Sequence, residues 1–136
     1  MSSRLNPYIA FTGDAREAME FYKSVFGGTL TLTTFGEFGA PDPALADKIM
    51  HAQLETDAGY TIMASDTPPD MTITPGSTIT VSLSGNDGDL LRGYFEQLAD
   101  GGTVLLPLEK QMWGDEFGQL ADRYGIAWMV NITQPA

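Results

Sequence analysis

Phe11 to Gly28 reads FTGDAREAMEFYKSVFGG, and Leu83 to Gly102 reads LSGNDGDLLRGYFEQLADGG. In the first stretch Asp14 is placed to cap a helix, with Glu17 three positions on at the capping-box spacing. Ala18, Phe21, Tyr22, Val25 and Phe26 then follow at i, i+3, i+4, i+7 and i+8, which predicts one buried helix face. Gly27-Gly28 supplies the stop, and Leu30 and Leu32 alternate with threonines as a strand does. The second stretch repeats each device: Asn86 as cap, a stripe of Leu90, Leu91, Tyr94, Phe95 and Leu98, Gly101-Gly102 as stop, and TVLLPLE as the departing strand. Phe11 and Leu83, Gly13 and Gly85, and Tyr22 and Tyr94 are each 72 apart, whereas Gly27 and Gly101 are 74 apart, so the second helix is expected to be two residues longer. A long unit that occurs only twice points to two similar modules rather than a repeat array.

Each copy continues with the same material. KIMHAQLET and YTIMASD flank the turn signal DAG in the first half, and FGQLAD and IAWMVNI flank RYG in the second, so each half reads βαβββ. The fold class expected is α+β, a single domain over 1–136 built from a first module at 6–66, a linker at 67–76 and a second module at 77–133. The linker region DTPPDMTITPG is too rich in proline and polar residues for a central strand. GAPDPALADKIM reads equally as a flap over a cavity mouth or as a plain connection holding a short helix capped by Asp42 with Pro43 in its first turn.

Seven Lys and Arg against eighteen Asp and Glu leave a net charge of -11, which disfavours nucleic acid and anionic membranes as partners and reads either as a solvated acidic surface or as a preference for cationic ligands. The absence of cysteine removes disulfides, thiolate metal sites and cysteine nucleophiles. No apolar run approaches the roughly 18 residues of a membrane span, and the start lacks a secretory pattern, so a soluble cytoplasmic protein is the expectation.

NPYIAFTGDAREAMEFYKSVFGG, MHAQL, MASD and WGDEFGQLADRYGIAWMVN together resemble the PhnB-like branch of the vicinal oxygen chelate superfamily, the glyoxalase, bleomycin-resistance and dioxygenase group. Members of this branch have also been likened to a demethylubiquinone methyltransferase. The resemblance implies curved mixed sheets forming cups, with two cups enclosing a small-molecule cavity within one chain or across a dimer, and a homodimer is the expected assembly because half-open cups leave concave apolar surface. It also implies, for metal-dependent relatives, a His on the first strand and a Glu on the fourth strand of a module. Aligned on the helices, those positions fall here at Pro7 or Tyr8 and Ile79 or Thr80 for the first strands, and at Met63 and Met129 for the fourth. A thioether is a poor ligand for a hard ion, so no metal and no cofactor are expected there.

The chain's one histidine, His51, is expected by strand parity to share a face with Ile49, Gln53 and Glu55. If Glu55 pairs with Thr61, His51 stands across from Ser65 on the face that carries Met63. Phe35 and Trp113 occupy corresponding places after the second strand of each module, and Glu109, Asp115 and Glu116 flank Trp113 as a carboxylate rim suited to a flat or cationic ligand. His51, Phe35, Trp113, Met63, Met129 and Ser65 are therefore the candidate ligand-binding residues, while Phe38 and Phe117 read as sheet packing. Two functions are compatible with this set. One is a metal-free protein that binds or sequesters a small, aromatic or cationic molecule. The other is a superfamily enzyme acting on a small oxygen-rich substrate, through an unusual metal site or with His51 as general base.

Overall fold

A computed structural model describes residues 5–39, 46–67 and 79–134. The expected linker, apart from Thr67, and residues 42–45 of the Asp42-capped segment lie outside these residues. The chain divides into two compact units, Met1–Pro75 and Gly76–Ala136.

The first unit runs β1 (Tyr8–Phe11), α1 (Ala15–Phe26), β2 (Thr29–Thr34), a 3₁₀ turn (Gly36–Phe38), β3 (Ile49–Glu55) and β4 (Thr61–Asp66). The second runs β5 (Val81–Gly85), α2 (Gly88–Ala99), β6 (Thr103–Lys110), β7 (Glu116–Ala121) and β8 (Ala127–Ile132). Each is an open four-stranded mixed sheet, ordered β1-β4-β3-β2 and β5-β8-β7-β6, with its first and fourth strands parallel and the other pairs antiparallel. A parallel neighbour needs a crossover, and in each unit the crossover begins with the helix, which covers one face of the sheet.

Burial alternates along the strands as that arrangement requires. In the first unit Ile9, Phe11, Ala52, Leu54, Ile62 and Ala64 are buried together with Met19, Tyr22 and Phe26 of α1. In the second, Leu83, Leu120, Trp128 and Val130 are buried with Leu91, Tyr94, Phe95 and Leu98 of α2. The stripes are turned slightly from those expected: Ala15 and Met19 are buried in α1, and Leu90 of α2 is exposed.

Both helices contain 12 residues, so the second is not the longer one. The sheet register also changes the internal alignment. Tyr8 pairs with Met63 and Ser82 with Met129, which makes Tyr8 and Ser82 the equivalent first-strand positions and displaces Ile79 and Thr80 from that role. The glycine stop tells the same story, because Gly28 and Gly102 meet equivalent backbone, at Glu55 and Ala121, and are 74 residues apart.

The helix caps differ from the sequence reading. Asp14 stands at the N-cap of α1 without a side-chain bond. Its work is done from a distance by Asp66 at the end of β4: Oδ1 accepts from the Gly13 and Ala15 amides, both at 2.9 Å, and Oδ2 accepts from the Ile49 amide at 2.9 Å. In α2 the N-cap is Asp87, not Asn86, and its carboxylate accepts from the Leu90 amide.

The two hairpins close as the DAG and RYG signals predict. Thr56 donates its amide to the Tyr60 carbonyl at 2.9 Å and Asp122 to the Ile126 carbonyl at 2.9 Å, with Gly59 and Gly125 at φ of 91° and 81°. That geometry fixes the register of the strands that carry the site.

Candidate functional site

The face of each sheet away from its helix holds four of the six candidate residues, His51, Met63 and Ser65 in the first unit and Met129 in the second. Glu55 pairs with Thr61 and Ala52 with Ala64, and one further step of the same register sets His51 opposite Ser65. Two rows result in the first unit. One crosses the sheet as Tyr8, Met63, Gln53 and Thr31; the other joins Ala10 to Ser65 and His51 to Thr33. Ile49 leaves this face, contrary to simple alternation. Thr33 pairs with His51 and the adjacent Thr34 with Ile49, so Met50 is the extra residue of a β-bulge. The bulge resets the parity, and Ile49 is fully buried alongside Ala52 and Leu54.

The Tyr8 hydroxyl lies 3.4 Å from Nδ1 of His51, and the two rings stand 5.8 Å apart at a tilt of 40°. With the hydroxyl donating, Nδ1 accepts and Nε2 carries the imidazole proton. Tyr8 is exposed, and the pair is open to an incoming molecule. Phe35 belongs to this unit too, half-buried just past β2, where its amide donates to the Lys48 carbonyl at 3.0 Å.

In the second unit the corresponding rows are Ser82, Met129, Gln119 and Leu106, then Ser84, Asn131, Phe117 and Glu109. Trp113 sits in the β6–β7 turn, 62% exposed, and meets Phe117 edge-on at 5.9 Å. Phe117 is therefore on the open face beside Trp113, not on the helix-facing side. The six candidate residues thus form two sets: His51, Ser65, Met63 and Phe35 in one unit, Met129 and Trp113 in the other.

The carboxylate rim around Trp113 is largely committed elsewhere. Asp115 accepts from Asn131 Nδ2 at 3.0 Å and from the Gln134 amide at 3.3 Å. Glu116 takes a two-pronged contact from Arg92, Nε to Oε1 at 3.1 Å and Nη2 to Oε2, and a further bond from Gln134 at 3.2 Å. The hydrogen bond from Arg92 holds the Glu116 carboxyl below the usual carboxylate range, against a smaller opposing effect of desolvation. Whatever this surface pair contributes to stability is complete above the ordinary carboxylate range and is lost as pH falls through the lowered value. Arg92→Ala is expected to return the Glu116 titration, followed by carboxyl carbon NMR, to the ordinary range. A titration unmoved by the substitution would show that the pair does not persist in solution.

Tyr8 with Met63, and Ser82 with Met129, stand as neighbours where a first-strand His and a fourth-strand Glu would converge on a metal. A phenol, a hydroxyl and two thioethers do not fit a hard divalent ion. Among the described residues no group of three His, Cys, Asp or Glu side chains lies close enough to hold one. No helix among them is long and apolar enough to cross a membrane.

Sequence reading missed Gln53 and Gln119, which flank the two methionines, and Asp66 and Asp122, which are buried. Asp122 accepts from the Tyr124 and Ile126 amides at 2.8 and 3.1 Å and from the Trp128 ring nitrogen at 2.9 Å. Only the glutamines had a usable signal, since each lies ten residues before its methionine across a short hairpin.

A family model described as 3-demethylubiquinone-9 3-methyltransferase matches residues 3–131. The crystal structure of protein PA1353 from Pseudomonas aeruginosa is 38% identical and has a TM-score of 0.85, covering 98% of this chain and all of that one. A putative 3-demethylubiquinone-9 3-methyltransferase, PhnB protein, from Bacillus cereus shares the fold at 23% identity and a TM-score of 0.72, over 96% of this chain and all of that one. The glyoxylase/bleomycin resistance protein/dioxygenase domain from Frankia sp. EAN1pec shares it at 16% identity and a TM-score of 0.66, over all of this chain and 95% of that one. With a family match over nearly its whole length, the chain belongs to the family described as 3-demethylubiquinone-9 3-methyltransferase, and its two open βαβββ sheets share the fold of the PhnB and glyoxylase/bleomycin resistance protein/dioxygenase structures.

Proposed function

We propose that the open sheet faces bind a small flat molecule without a metal, as a retention or sequestration protein does. The observation that carries this reading is the register itself, which sets Tyr8 beside Met63 and Ser82 beside Met129 at the positions that would otherwise supply His and Glu. What remains on these faces suits ligand contact: half-buried thioethers, amides and hydroxyls, with Trp113 and Phe117 as an aromatic edge. The net charge of -11 favours a neutral or cationic ligand over an anion. Methyl transfer, which the family's descriptive name carries, is not supported by the loops. The strand-to-helix connections are Thr12-Gly13-Asp14 and Asn86-Asp87, too short and too poor in glycine to cradle a nucleoside cofactor.

The test uses tryptophan emission. Trp128 is 1% exposed with its ring nitrogen bonded to Asp122, so a surface ligand acts on Trp113. The N-methylpyridinium ion is expected to quench more strongly than neutral acrylamide, and to lose that advantage as salt shortens the Debye length from about 30 Å near 0.01 M to about 3 Å near 1 M. Quenching that persists in Trp113→Phe, or ignores salt, would remove Trp113 from the site.

The Tyr8–His51 contact favours a second reading, an enzyme in which His51 acts as general base on a small oxygen-rich substrate. Turnover lost in His51→Ala and retained in Trp113→Phe would establish that reading over simple binding.

A further inference from the structure

Gln53 and Gln119 are Cα partners of Met63 and Met129, so the same amide–thioether pair recurs on the open face of both sheets at a constant spacing of 66 residues. Both side chains are half-buried, and since no buried side-chain polar atom among the described residues lacks a partner, amide atoms that make no bond within the protein are open to solvent and to a ligand. A glutamine offers one acceptor and two donors in a plane, and the thioether offers a polarisable apolar surface beside it.

Resting on the binding role above, we propose that Gln53 and Gln119 determine ligand specificity by reading a neutral lactam-type edge on a flat heteroaromatic ring. The ring lies against Met63 or Met129, where sulfur–aromatic contact is favourable. Its ring N–H donates to the glutamine Oε1, and the glutamine Nε2 donates to the adjacent ring carbonyl. Both bonds are neutral, which agrees with a chain whose net charge of -11 repels carboxylates and phosphates. A carboxylate could use only the glutamine N–H groups, leaving Oε1 without a donor.

The flanks differ between the units. Tyr8 and Thr31 border the first pair, Ser82 and Leu106 the second, so the first is better equipped to stack and hydrogen-bond a ring bearing further polar groups.

The experiment is a methyl NMR titration of the full chain carrying ¹³C-methyl methionine, with 2-quinolinone and 1-methyl-2-quinolinone as probes. The Met63 and Met129 signals are assigned by Met63→Leu and Met129→Leu. The lactam is expected to shift both signals saturably, and blocking its N–H should weaken binding about tenfold or more, the loss of roughly one hydrogen bond. Gln53→Leu should weaken the Met63 response by a similar factor and leave Met129 unchanged, and Gln119→Leu should do the reverse. In each variant the untouched unit reports that the chain is folded. Gln53→Glu should also weaken the Met63 response, because its carboxylate still accepts from the ring N–H but cannot donate to the ring carbonyl and repels it. If both quinolinones bind equally, or if Gln53→Leu leaves the Met63 response intact, the edge-reading role is overturned while the faces still stand as binding surfaces. If neither probe moves either methyl although N-methylpyridinium quenches Trp113, the inference also fails and the broader reading survives. If all three probes fail, both fall.

Discussion

Asp66→Ala is expected to cost about 3–5 kcal/mol of stability, because it leaves three amides without their acceptor, each worth about 1–3 kcal/mol when its buried partner is removed. The carboxylate is 3% exposed and joins three separate pieces of backbone: the turn before α1 through Gly13 and Ala15, the start of β3 through Ile49, and the end of β4 on which it sits. A domain of this size has only about 5–15 kcal/mol in total, so the substitution should consume much of it. Urea unfolding should show a large fall in midpoint. Asp66→Asn keeps one oxygen and sets an NH₂ group against at least one N–H donor, so it should lose part of the stability and unfold between the other two proteins. A loss below about 1 kcal/mol for Asp66→Ala would mean that water replaces the carboxylate and that the three segments do not depend on it.

The second large effect is expected at Gly28. Its φ of 106° is strained for any residue with a side chain, and a Cβ there would stand 2.0 Å from the Glu55 carbonyl oxygen and 2.7 Å from the Thr56 Cα. Both are backbone atoms and cannot turn aside. Gly28→Ala therefore combines conformational strain with overpacking, about 1–3 kcal/mol each, and should destabilise by about 3–5 kcal/mol in urea unfolding. Gly59→Ala provides the control, since Gly59 has a φ of 91° with no heavy atom within 4 Å of an added Cβ. It should lose only the strain, about 1–2 kcal/mol. Equal losses at the two glycines would refute the close approach of the α1–β2 turn to the end of β3.

These two residues also show which parts of the molecule are legible in sequence. Capping residues, glycine stops and alternating strands are local signals, and they yielded the βαβββ order of both halves and the Glu55–Thr61 register of the hairpin that carries His51. Asp66 was not legible as a cap because it lies 51 residues from the Ala15 amide that it accepts from, and only the fold brings them together. The Met50 bulge escaped for a related reason: an extra residue on β3 has meaning only against β2, and sequence alternation assumes none. The helices misled the internal alignment. A stripe of apolar residues can be slid by one position with little penalty, whereas the pairing of Tyr8 with Met63 and Ser82 with Met129 cannot. The partners of the acidic rim were not legible, because the glutamine at 134, Asn131 and Arg92 reach Asp115 and Glu116 from other elements. Gln53, though placed on the His51 face, and Gln119 were left out of the candidate site because a glutamine on a strand announces nothing until its neighbour across the hairpin is known.

In the proposed role the open faces hold their ligand without a metal. The most direct test is elemental analysis of the full chain purified without chelator, as wild type and as His51→Ala. The account predicts divalent metal well below one equivalent in both proteins. Near-unit occupancy by zinc, nickel, manganese or iron that disappears in His51→Ala would contradict it.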